Sequence, residues 1–234
     1  MKLDQEKNQA VFFSDEKNQY DLKLIENPPL HVEKEINNIL SKINDLKLKK
    51  VVEFGSGTGR LTIPLLKNNF YVKAVDISQE SLLKLKKIAY KFKRDKQLET
   101  FHTIESIKKI KCIVGCDILH HIELDKYLEI FHQKLEKGGS LVFSEPNSFN
   151  IYWLIYISIF ANWQVEKGIF QCNYFSLQNK LRKANFKNIK IEGLGLFPSS
   201  LITWSKKLLD LNIFLGNLPI LKYFSVRLII SAEK

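Results

Sequence analysis

The segment Val51–Arg60 constrains the fold of this chain more than any other part of the sequence. It reads Val-Val-Glu-Phe-Gly-Ser-Gly-Thr-Gly-Arg, a short apolar run that ends in glycines at alternate positions. A glycine-rich turn between a strand and a helix lets backbone amides and the helix N-terminus approach a ligand closely. The segment therefore predicts a buried strand followed by a ligand-binding loop.

The rest of the chain alternates short apolar stretches with stretches in which apolar residues recur every three or four positions. The first kind predicts strands at Lys50–Phe54, Tyr71–Asp76, Glu99–Thr103, Lys111–Leu119, Leu141–Ser144, Lys187–Glu192 and Arg227–Ala232. The second kind predicts helices at His31–Leu46, Leu61–Lys67, Gln79–Lys93, Leu124–Leu135 and Leu177–Ala184. A turn is expected at Gly138-Gly139. This alternation predicts an α/β fold with a doubly wound sheet covered on both faces.

Composition sets broad limits on the class of protein. A chain of 234 residues with 45% hydrophobic residues is typical of one domain with a sizeable core. The three cysteines, Cys112, Cys116 and Cys172, are too few and too odd in number for a disulfide framework. The N-terminus is charged and has no apolar signal core. We therefore expect a cytoplasmic protein.

The formal net charge of +11 favours an anionic partner such as a nucleic acid or a lipid surface. Only Arg60, Arg94, Arg182 and Arg227 among the 36 basic residues are arginine, however, and nucleic-acid readers depend on arginine for bidentate contacts. An AT-rich genome also enriches lysine, asparagine and isoleucine. The charge alone therefore does not indicate nucleic-acid binding.

The residues around the glycine loop narrow the choice of ligand. A dinucleotide fingerprint would require a third glycine at position 60, which is Arg60. Glu53, inside the preceding strand, suits a cationic ligand better than a pyrophosphate. Asp76 ends the second strand and can accept hydrogen bonds from both hydroxyls of a ribose. The alternative is that Asp76 caps the next helix, a role that Ser78 could fill by itself.

Four motifs in order carry a resemblance to a known family. They are Glu53 with the loop glycines, Asp76, the segment Asp117–Ile122 and the segment Leu135–Asn147. Together they resemble the class I S-adenosylmethionine-dependent methyltransferases, and most closely the broad small-molecule group that includes quinone-ring methylases. The resemblance covers residues 45–146 and continues more loosely through Tyr174–Ile191. It implies a Rossmann-like sheet of seven strands, mostly parallel with an antiparallel last strand.

The resemblance also implies S-adenosylmethionine as the cofactor. Gly55 and Gly57 would line its methionine part, Asp76 its ribose and Ile77 its adenine, and Cys116 would offer its backbone carbonyl to the amino group. Thr103 and Ile104 match the adenine-contacting pair of the family, although that pair usually begins with aspartate. The full set of predicted cofactor-binding residues is Glu53, Gly55, Ser56, Gly57, Gly59, Asp76, Ile77, Thr103, Ile104 and Cys116.

Methyl transfer from a sulfonium is an in-line displacement, so positioning can contribute roughly 7–11 kcal/mol of the catalysis. A base is needed only if the acceptor arrives protonated. The candidates are Asp117, His121 and Glu145, with His120 beside them, because histidine has the right ordinary pKa for a base at neutral pH. Alternatively, the Leu-His-His-Ile segment caps the following helix and orders the site.

A zinc set of Cys112, Cys116 and His120 would require these residues to share one face of a helix. The segment from Cys112 to Gly115 reads as a strand instead. Residues four apart on a strand are about 13 Å from each other, too far to share one ion. No metal site is therefore predicted.

The stretch Pro146–Val165 contains no charged residue. Polar residues at its two ends leave about 11 strongly apolar positions, which is short for a membrane span and suits a buried or interfacial helix. The resemblance implies a helical lid over the acceptor pocket, and its aromatic residues fit an apolar acceptor. With lysines nearby, the lid also suits peripheral contact with an anionic membrane. The alternative is a core helix packed on the sheet.

We therefore expect one methyltransferase domain over residues 1–234. It comprises an N-terminal helical cap at 1–47, with Tyr20 as a contact, a cofactor-binding core at 48–146, and helical lid insertions at 147–176 and 195–226. The predicted reaction is methyl transfer to a small hydrophobic or lipid-like acceptor, with release of S-adenosylhomocysteine. The alternatives are an RNA methyltransferase, which only the charge supports, and a non-catalytic partner subunit that binds the cofactor. A nicotinamide-dependent oxidoreductase is disfavoured by Arg60.

Overall fold

The computed structural model describes residues 12, 15, 19–202 and 204–234, with only the backbone at 200. Seven strands are β1 (Lys50–Phe54), β2 (Tyr71–Val75), β3 (Leu98–Phe101), β4 (Ile110–Cys116), β5 (Leu135–Pro146), β6 (Lys187–Leu194) and β7 (Arg227–Glu233). They form one sheet in the order β3-β2-β1-β4-β5-β7-β6. Strands β1 to β5 pair in parallel, and β7 is antiparallel to both β5 and β6. The predicted fold class is confirmed.

Helices cover both faces of this sheet. They are α1 (Leu22–Glu26), α2 (Leu30–Asp45), α3 (Thr62–Lys67), α4 (Gln79–Lys91), α5 (Leu124–Lys134), α6 (Ile151–Phe160), α7 (Trp163–Glu166), α8 (Tyr174–Lys183) and α9 (Lys206–Gly216). Short 3-10 turns lie at Asp95–Gln97, Ile104–Ser106, Leu119–His121, Lys167–Gln171, Ser199–Ile202 and Leu221–Phe224. Helices α2, α3 and α4 pack on one face of the sheet, and α5 and α8 pack on the other.

Helix α2 shows why the apolar spacing predicted a helix at this place. Its residues Ile36, Ile39 and Ile43 share one face and are buried against the sheet. Burying each such side chain stabilises the fold by roughly 1.5–3 kcal/mol. The helix begins directly after Pro29, whose fixed φ suits a helix start. Pro64 lies in the first turn of α3, where its missing N–H costs nothing.

Strand β5 differs from its prediction. The turn expected at Gly138-Gly139 lies inside the strand, which already begins at Leu135. The pairing with β4 shifts between Ile110 and Cys112, so the residues around Gly138 form an irregularity in the ladder. Gly138 takes a φ of 75°, which a glycine adopts without strain. The glycines therefore bend a continuous strand rather than start a new one.

The order of the strands places the functional edge. The order in which strands are added to the sheet reverses between β1 and β4, and open α/β sheets bind ligands at the carboxyl ends of the strands beside such a switch point. Strand β5 ends at the same edge and leads into α6, and β7 starts there. Both lid insertions therefore connect to the edge of the sheet that carries the ligand-binding loop.

Helix α6 does not pack as a core helix. Of its ten residues only Ile157 is buried, at 2% exposure, while Ile151, Ile159 and Phe160 are each at least 65% exposed. The core-packing alternative for the uncharged stretch is therefore wrong. Among the described helices, none is long and apolar enough to cross a membrane.

Candidate functional site

Two adjoining cavities lie at the carboxyl ends of β1, β2 and β4. They have volumes of about 360 Å³ and 440 Å³, within the range of roughly 300–1,000 Å³ that is typical of ligand pockets. Both are lined by Gly55, Asp76, Ile77, Ile118 and His121. The shared wall makes them two parts of one cleft, which we call the cofactor cleft.

The glycine loop forms the floor of the cofactor cleft. Gly55 and Gly57 have φ values of 76° and 49°, in the left-handed region that favours glycine. A Cβ at Gly55 would lie 2.4 Å from Ile118 Cγ1, whereas a Cβ at Gly57 would meet nothing within 4 Å. Gly57 therefore leaves open space for a ligand. Gly59 packs instead against Leu85, and it lines neither part of the cleft.

Asp76 lies where the two parts of the cleft meet. Its Oδ2 accepts a hydrogen bond from Gly57 N at 2.7 Å, and its Oδ1 accepts one from Ser78 N at 2.9 Å. A carboxylate has about four acceptor sites, so two remain for a ligand. Ser78 Oγ caps α4 by accepting from Ser81 N, which confirms that the cap does not need Asp76. Burial raises the pKa of Asp76 and its backbone donors lower it, with a net rise.

Glu53 lies beneath the loop rather than in the cleft. Its Oε2 accepts a hydrogen bond from Thr62 Oγ1 at 2.7 Å, and the side chain is buried. Burial raises the pKa of Glu53 to about 8, so the carboxyl is mostly protonated at neutral pH. Glu53 therefore supports the loop from below and has no contact with the space of the cleft.

Two hydroxyl groups in the cleft have no hydrogen-bond partner among the described residues. They are Ser56 Oγ and Tyr20 OH, both buried and both in the wall of the smaller part. A buried polar group without a partner costs about 1–3 kcal/mol, so such groups indicate a site for a polar ligand. Tyr20 comes from the N-terminal cap, as predicted, and its carbonyl accepts from Thr58 Oγ1 at 3.0 Å.

His120 and Glu145 form a buried pair behind the cleft. Glu145 Oε1 accepts from the backbone N–H groups of Ile118 and Leu119, each at 2.8 Å, and its Oε2 lies 2.6 Å from His120 Nδ1. Glu166 Oε2 lies 3.4 Å from His120 Nε2. Burial alone would lower the pKa of His120, but the two carboxylates raise it to about 10. His120 is therefore a buried cation that joins β5 to the lid.

His121 lines the cleft next to this cation. Its ring stacks on that of His120 with centroids 3.9 Å apart. Burial and the charge of His120 hold the pKa of His121 well below its ordinary value. His121 is therefore neutral at physiological pH, and protonating it is costly.

A ring of four charged side chains closes the far end of the cleft. Glu35 on α2 binds Arg60 at 2.6 Å and Arg227 at 2.8 Å, and Asp117 binds the same two arginines, with 2.5 Å to Arg227 Nη2. Burial opposes ionisation of Asp117, but the two guanidinium groups outweigh it and hold its pKa well below the ordinary range. The ring is neutral overall and fastens the N-terminal cap to the carboxyl edge of the sheet.

A third cavity of about 400 Å³ begins at this ring, and we call it the acceptor cavity after the role that is proposed for it below. Tyr20, Arg60 and Asp117 line both this cavity and the cofactor cleft. The remaining walls are mostly apolar and come from α1, the start of α2, α6, the end of β6 and the second insertion. Their apolar members are Leu24, Pro29, Val32, Tyr152, Trp153, Tyr156, Leu194, Pro198, Ile213 and Val226. Trp153 is fixed by a 2.6 Å hydrogen bond from Nε1 to the carbonyl of Val226.

His31 is a polar residue of the acceptor cavity that the sequence reasoning missed. Its Nδ1 is buried and has no partner among the described residues. Burial lowers the pKa of His31, so its imidazole is neutral at pH 7.

Glu35 and Arg227 were also missed by the sequence reasoning. Glu35 gave a signal, because it is an acid on the apolar face of α2 beside Ile36.

Two groups of side chains carry atoms that suit a metal ion. They are His120, His121 and Glu166, and Glu35, Cys116 and Asp117. Members of both groups already form ion pairs. In the first group His120 binds Glu145, and in the second Glu35 binds Arg60. Cys112 and Cys116, which the sequence analysis weighed as zinc ligands with His120, both lie on β4.

The structure brings most of the predicted cofactor residues together. The smaller part of the cofactor cleft is lined by Gly55, Ser56, Gly57, Asp76, Ile77 and Cys116. The larger part adds Thr103 and Ile104. Glu53, Gly59 and Glu145 line neither part. Of the predicted catalytic residues, His121 faces the cofactor cleft, and Asp117 faces both the cleft and the acceptor cavity.

Comparison with known proteins gives the family. The methyltransferase domain family matches residues 27–191, which is more than half of the chain. No curated protein is similar enough in sequence to be a relative.

Solved structures show the same fold at low sequence identity. The magnesium protoporphyrin IX methyltransferase of Synechocystis PCC 6803, with bound S-adenosylmethionine, is 13% identical with a TM-score of 0.62 over 98% of this chain and 97% of that one. A methyltransferase from Archaeoglobus fulgidus is 16% identical with a TM-score of 0.62 over 87% and 94%. Phosphoethanolamine N-methyltransferase 2 of Haemonchus contortus is 15% identical with a TM-score of 0.58 over 85% and 52%, so this chain spans about half of that enzyme.

The family match includes the glycine loop, Asp76, the His120-His121 turn and the first lid insertion, and it stops before the second insertion at 195–226. The seven-stranded sheet with its antiparallel β7 is the fold that the sequence resemblance implied. The chain therefore belongs to the methyltransferase domain family, and its sheet has the fold of solved S-adenosylmethionine-dependent methyltransferases.

Proposed function

We propose that this protein transfers the methyl group of S-adenosylmethionine to a small, hydrophobic or lipid-like acceptor and releases S-adenosylhomocysteine. The observation that carries the proposal is the junction of two spaces. An aromatic-walled cavity meets the cofactor cleft at Tyr20, Arg60 and Asp117. A methyl donor in one space and an apolar acceptor in the other would face each other at these residues.

The cofactor would be held by residues of the glycine loop and of the neighbouring strand ends. Gly57 leaves room for the methionine part, and the unpartnered Ser56 hydroxyl can bind its polar end. Asp76 has acceptor sites left for the ribose hydroxyls. The adenine would lie in the larger part of the cleft, between Ile77 and the pair of Thr103 and Ile104.

The bound cofactor supplies an electrophilic methyl group, so the protein needs only to align an acceptor and to remove its proton where there is one. Asp117 is kept ionised by Arg60 and Arg227 and would accept a hydrogen bond from the acceptor's O–H or N–H group. The cofactor would supply the methyl group with its carbon–sulfur electron pair remaining on sulfur, so Asp117 would need only to hold the acceptor in line with that bond. The proton would move along the acceptor's hydrogen bond to Asp117 and on to His31, which lines the same cavity and whose Nδ1 has no partner among the described residues.

The other predicted catalytic residues suit positioning roles. The pKa of His121 is too low for it to take up a proton readily, since a base works best when its pKa is near the working pH. It would instead fix the wall of the cofactor cleft. Glu145 is fully buried and binds His120 and two backbone amides, so it would hold the turn that carries Asp117 to His121.

Two measurements test the proposal. Thermal shift should show stabilisation by S-adenosylmethionine and S-adenosylhomocysteine but not by NAD, and stabilisation by NAD alone would refute the cofactor. Methyl-labelled S-adenosylmethionine should then transfer label to the organic-solvent fraction of a cell extract. Label found only in RNA would instead favour the nucleic-acid alternative.

A substitution that fills the acceptor cavity tests its role independently of the cofactor cleft. Ile213→Trp should abolish label transfer while leaving cofactor affinity unchanged, because Ile213 lines the acceptor cavity but not the cofactor cleft. Leu211→Trp on the same helix is the matched control, since Leu211 is exposed. Equal activity of the two variants would place the acceptor elsewhere.

A further inference from the structure

Helix α6 exposes an apolar surface that needs an explanation. A helix that is apolar on all sides is normally buried, yet only Ile157 of α6 is buried in this protein. Exposed apolar patches of this kind mark surfaces that bind a partner or a membrane.

The second lid insertion exposes the same kind of surface. Seventeen of the twenty-three large apolar side chains that are exposed in the described residues belong to the two insertions. We call this set the apolar cap. It consists of Phe149, Ile151, Ile155, Tyr156, Ile159, Phe160, Trp163, Phe170, Phe175, Phe197, Leu201, Trp204, Leu208, Leu211, Phe214, Ile220 and Phe224.

The apolar cap borders the acceptor cavity. Tyr156, Pro198 and Ile213 line the cavity, and each lies on a segment whose neighbouring residues are exposed apolar side chains. The two insertions are also tied together, because Asn150 Nδ2 donates to the carbonyls of Leu196 at 3.1 Å and Phe224 at 2.7 Å. The cavity therefore opens within one continuous face rather than between two independent loops.

Positive charges border this face, while its acids are neutralised. Lys167, Lys206 and Lys207 are exposed and make no ion pair with any described residue. Glu166, by contrast, lies against His120, and Asp210 binds Lys34 at 2.7 Å. An apolar face with a lysine rim is complementary to the surface of an anionic lipid bilayer.

We propose that the apolar cap docks on an anionic bilayer and opens the acceptor cavity directly to the lipid. This inference rests on the proposed function, in that the cavity holds the acceptor. Helix α6 has ten residues, which is too short to cross a bilayer but suits a helix lying in the interface. A second copy of the chain fits the face less well, because two chains of charge +11 repel each other and contact there would close the cavity.

The tryptophans report docking without a label. The three in the chain, Trp153, Trp163 and Trp204, all lie in the two insertions, and Trp204 is 77% exposed. Phosphatidylglycerol vesicles should shift their fluorescence to the blue and co-sediment the protein, and brominated lipid should quench the emission. Phosphatidylcholine vesicles should bind at least about tenfold more weakly, as should phosphatidylglycerol at high salt. Failure of the full chain to bind phosphatidylglycerol vesicles would overturn the proposal.

Variants locate the contact. Ile159→Glu with Phe160→Glu, and separately Phe214→Glu, should each weaken vesicle binding about tenfold or more. The control is Tyr90→Glu, an equally exposed aromatic residue on α4 outside the cap. Loss of binding in the control to the same extent as in the cap variants would overturn the assignment of this face.

A second matched pair tests the charge. Lys206→Glu with Lys207→Glu should weaken binding, whereas Lys108→Glu with Lys109→Glu should not. The latter pair lies in a lysine-lined cleft at the amino ends of the strands, opposite the apolar cap. Equal losses in both pairs would show general charge attraction and refute the docking geometry.

Two further outcomes separate this proposal from others. A dimer in sedimentation analysis that dissociates in the Ile159→Glu and Phe160→Glu variant, without vesicle binding by the full chain, would assign the face to a second copy. A protein that gives a thermal shift with S-adenosylmethionine but ignores vesicles would overturn docking and leave the proposed function standing. Vesicle binding without a thermal shift by S-adenosylmethionine would support docking and overturn the proposed function.

Discussion

The cofactor cleft and the acceptor cavity meet at three residues but are built in different ways. The cleft is formed largely by backbone and small side chains at consecutive strand ends, such as Gly55, Gly57 and Asp76. The acceptor cavity is formed by large side chains from both lid insertions and the N-terminal cap, which are far apart in the chain. The cleft therefore depends on local geometry, whereas the cavity depends on long-range contacts.

The difference is clearest in how each site holds its charges. Asp76 is held by the Ser78 amide of its own loop and by the Gly57 amide of the glycine loop. Asp117 is held by Arg60 and Arg227, and these are held in turn by Glu35. A cleft built on backbone should tolerate changes to distant side chains, and a cavity built on ion pairs should not.

The largest effect is expected from Glu35→Ala, which breaks the ring on which the acceptor cavity depends. The substitution leaves two largely buried guanidinium groups each without one partner, and the loss of one member of a buried ion pair costs roughly 3–5 kcal/mol. The free energy of unfolding in urea should fall by about that amount. Glu33→Ala, an exposed acid on the same helix, should change it by less than about 0.5 kcal/mol. A similar loss in both variants would mean that the ring is not what fastens α2.

Asp76→Ala should weaken S-adenosylmethionine binding about a hundredfold or more. Hydrogen bonds to a charged group contribute about 1.5–3 kcal/mol each, and two of them would be lost at the ribose. Calorimetric titration measures the affinity, and Asp95→Ala, an exposed acid after α4, is the control. An unchanged affinity would refute the ribose role of Asp76 and would mean that the cofactor cleft does not hold its ligand through this carboxylate.

These two sites were predictable from the sequence to different degrees, for a physical reason. The loop glycines, Asp76 and Ser78 follow strands directly, so spacing along the chain fixed their place at the edge of the sheet. The ring of Glu35, Arg60, Asp117 and Arg227 joins four separate elements, and no local pattern pairs them. Only Glu35, an acid in an apolar helical face, marked the ring in the sequence.

For helix α6 the sequence predicted a helix but not its environment. An apolar run such as Ile151–Phe160 is compatible with a core helix or with an interfacial one, and periodicity does not separate the two. The choice depends on whether other elements have apolar surface left to cover it. Here the second insertion exposes its own apolar side chains beside α6, and Ile157 alone of that helix is buried.

His31→Gln is expected to lower kcat by roughly a hundredfold while leaving cofactor affinity unchanged, because it removes a base from the acceptor cavity only. Burial lowers the pKa of His31 below its ordinary value, so the neutral form that accepts a proton persists at pH 7. Wild-type activity should therefore persist at pH 6.5 and fall only at a lower pH, and the fall should be absent in the variant. The control is His132→Gln, because His132 lies on α5 and packs against Phe186, away from the acceptor cavity. If the pH profile of His31→Gln matched that of the wild type, a group other than His31 would take up the acceptor's proton.

The smallest effect should come from Tyr20→Phe, which acts where the two sites meet. The Tyr20 hydroxyl is buried without a partner among the described residues, so its removal should not lower the free energy of unfolding. Burial raises the pKa of Tyr20, which keeps it a hydrogen-bond donor over the working pH range. If that donor serves the cofactor, the dissociation constant of S-adenosylmethionine should rise about tenfold or less; if it serves the acceptor, KM should rise instead. A change in neither value would show that Tyr20 contributes only its ring to the boundary, where it lies 5.4 Å from the Arg60 guanidinium.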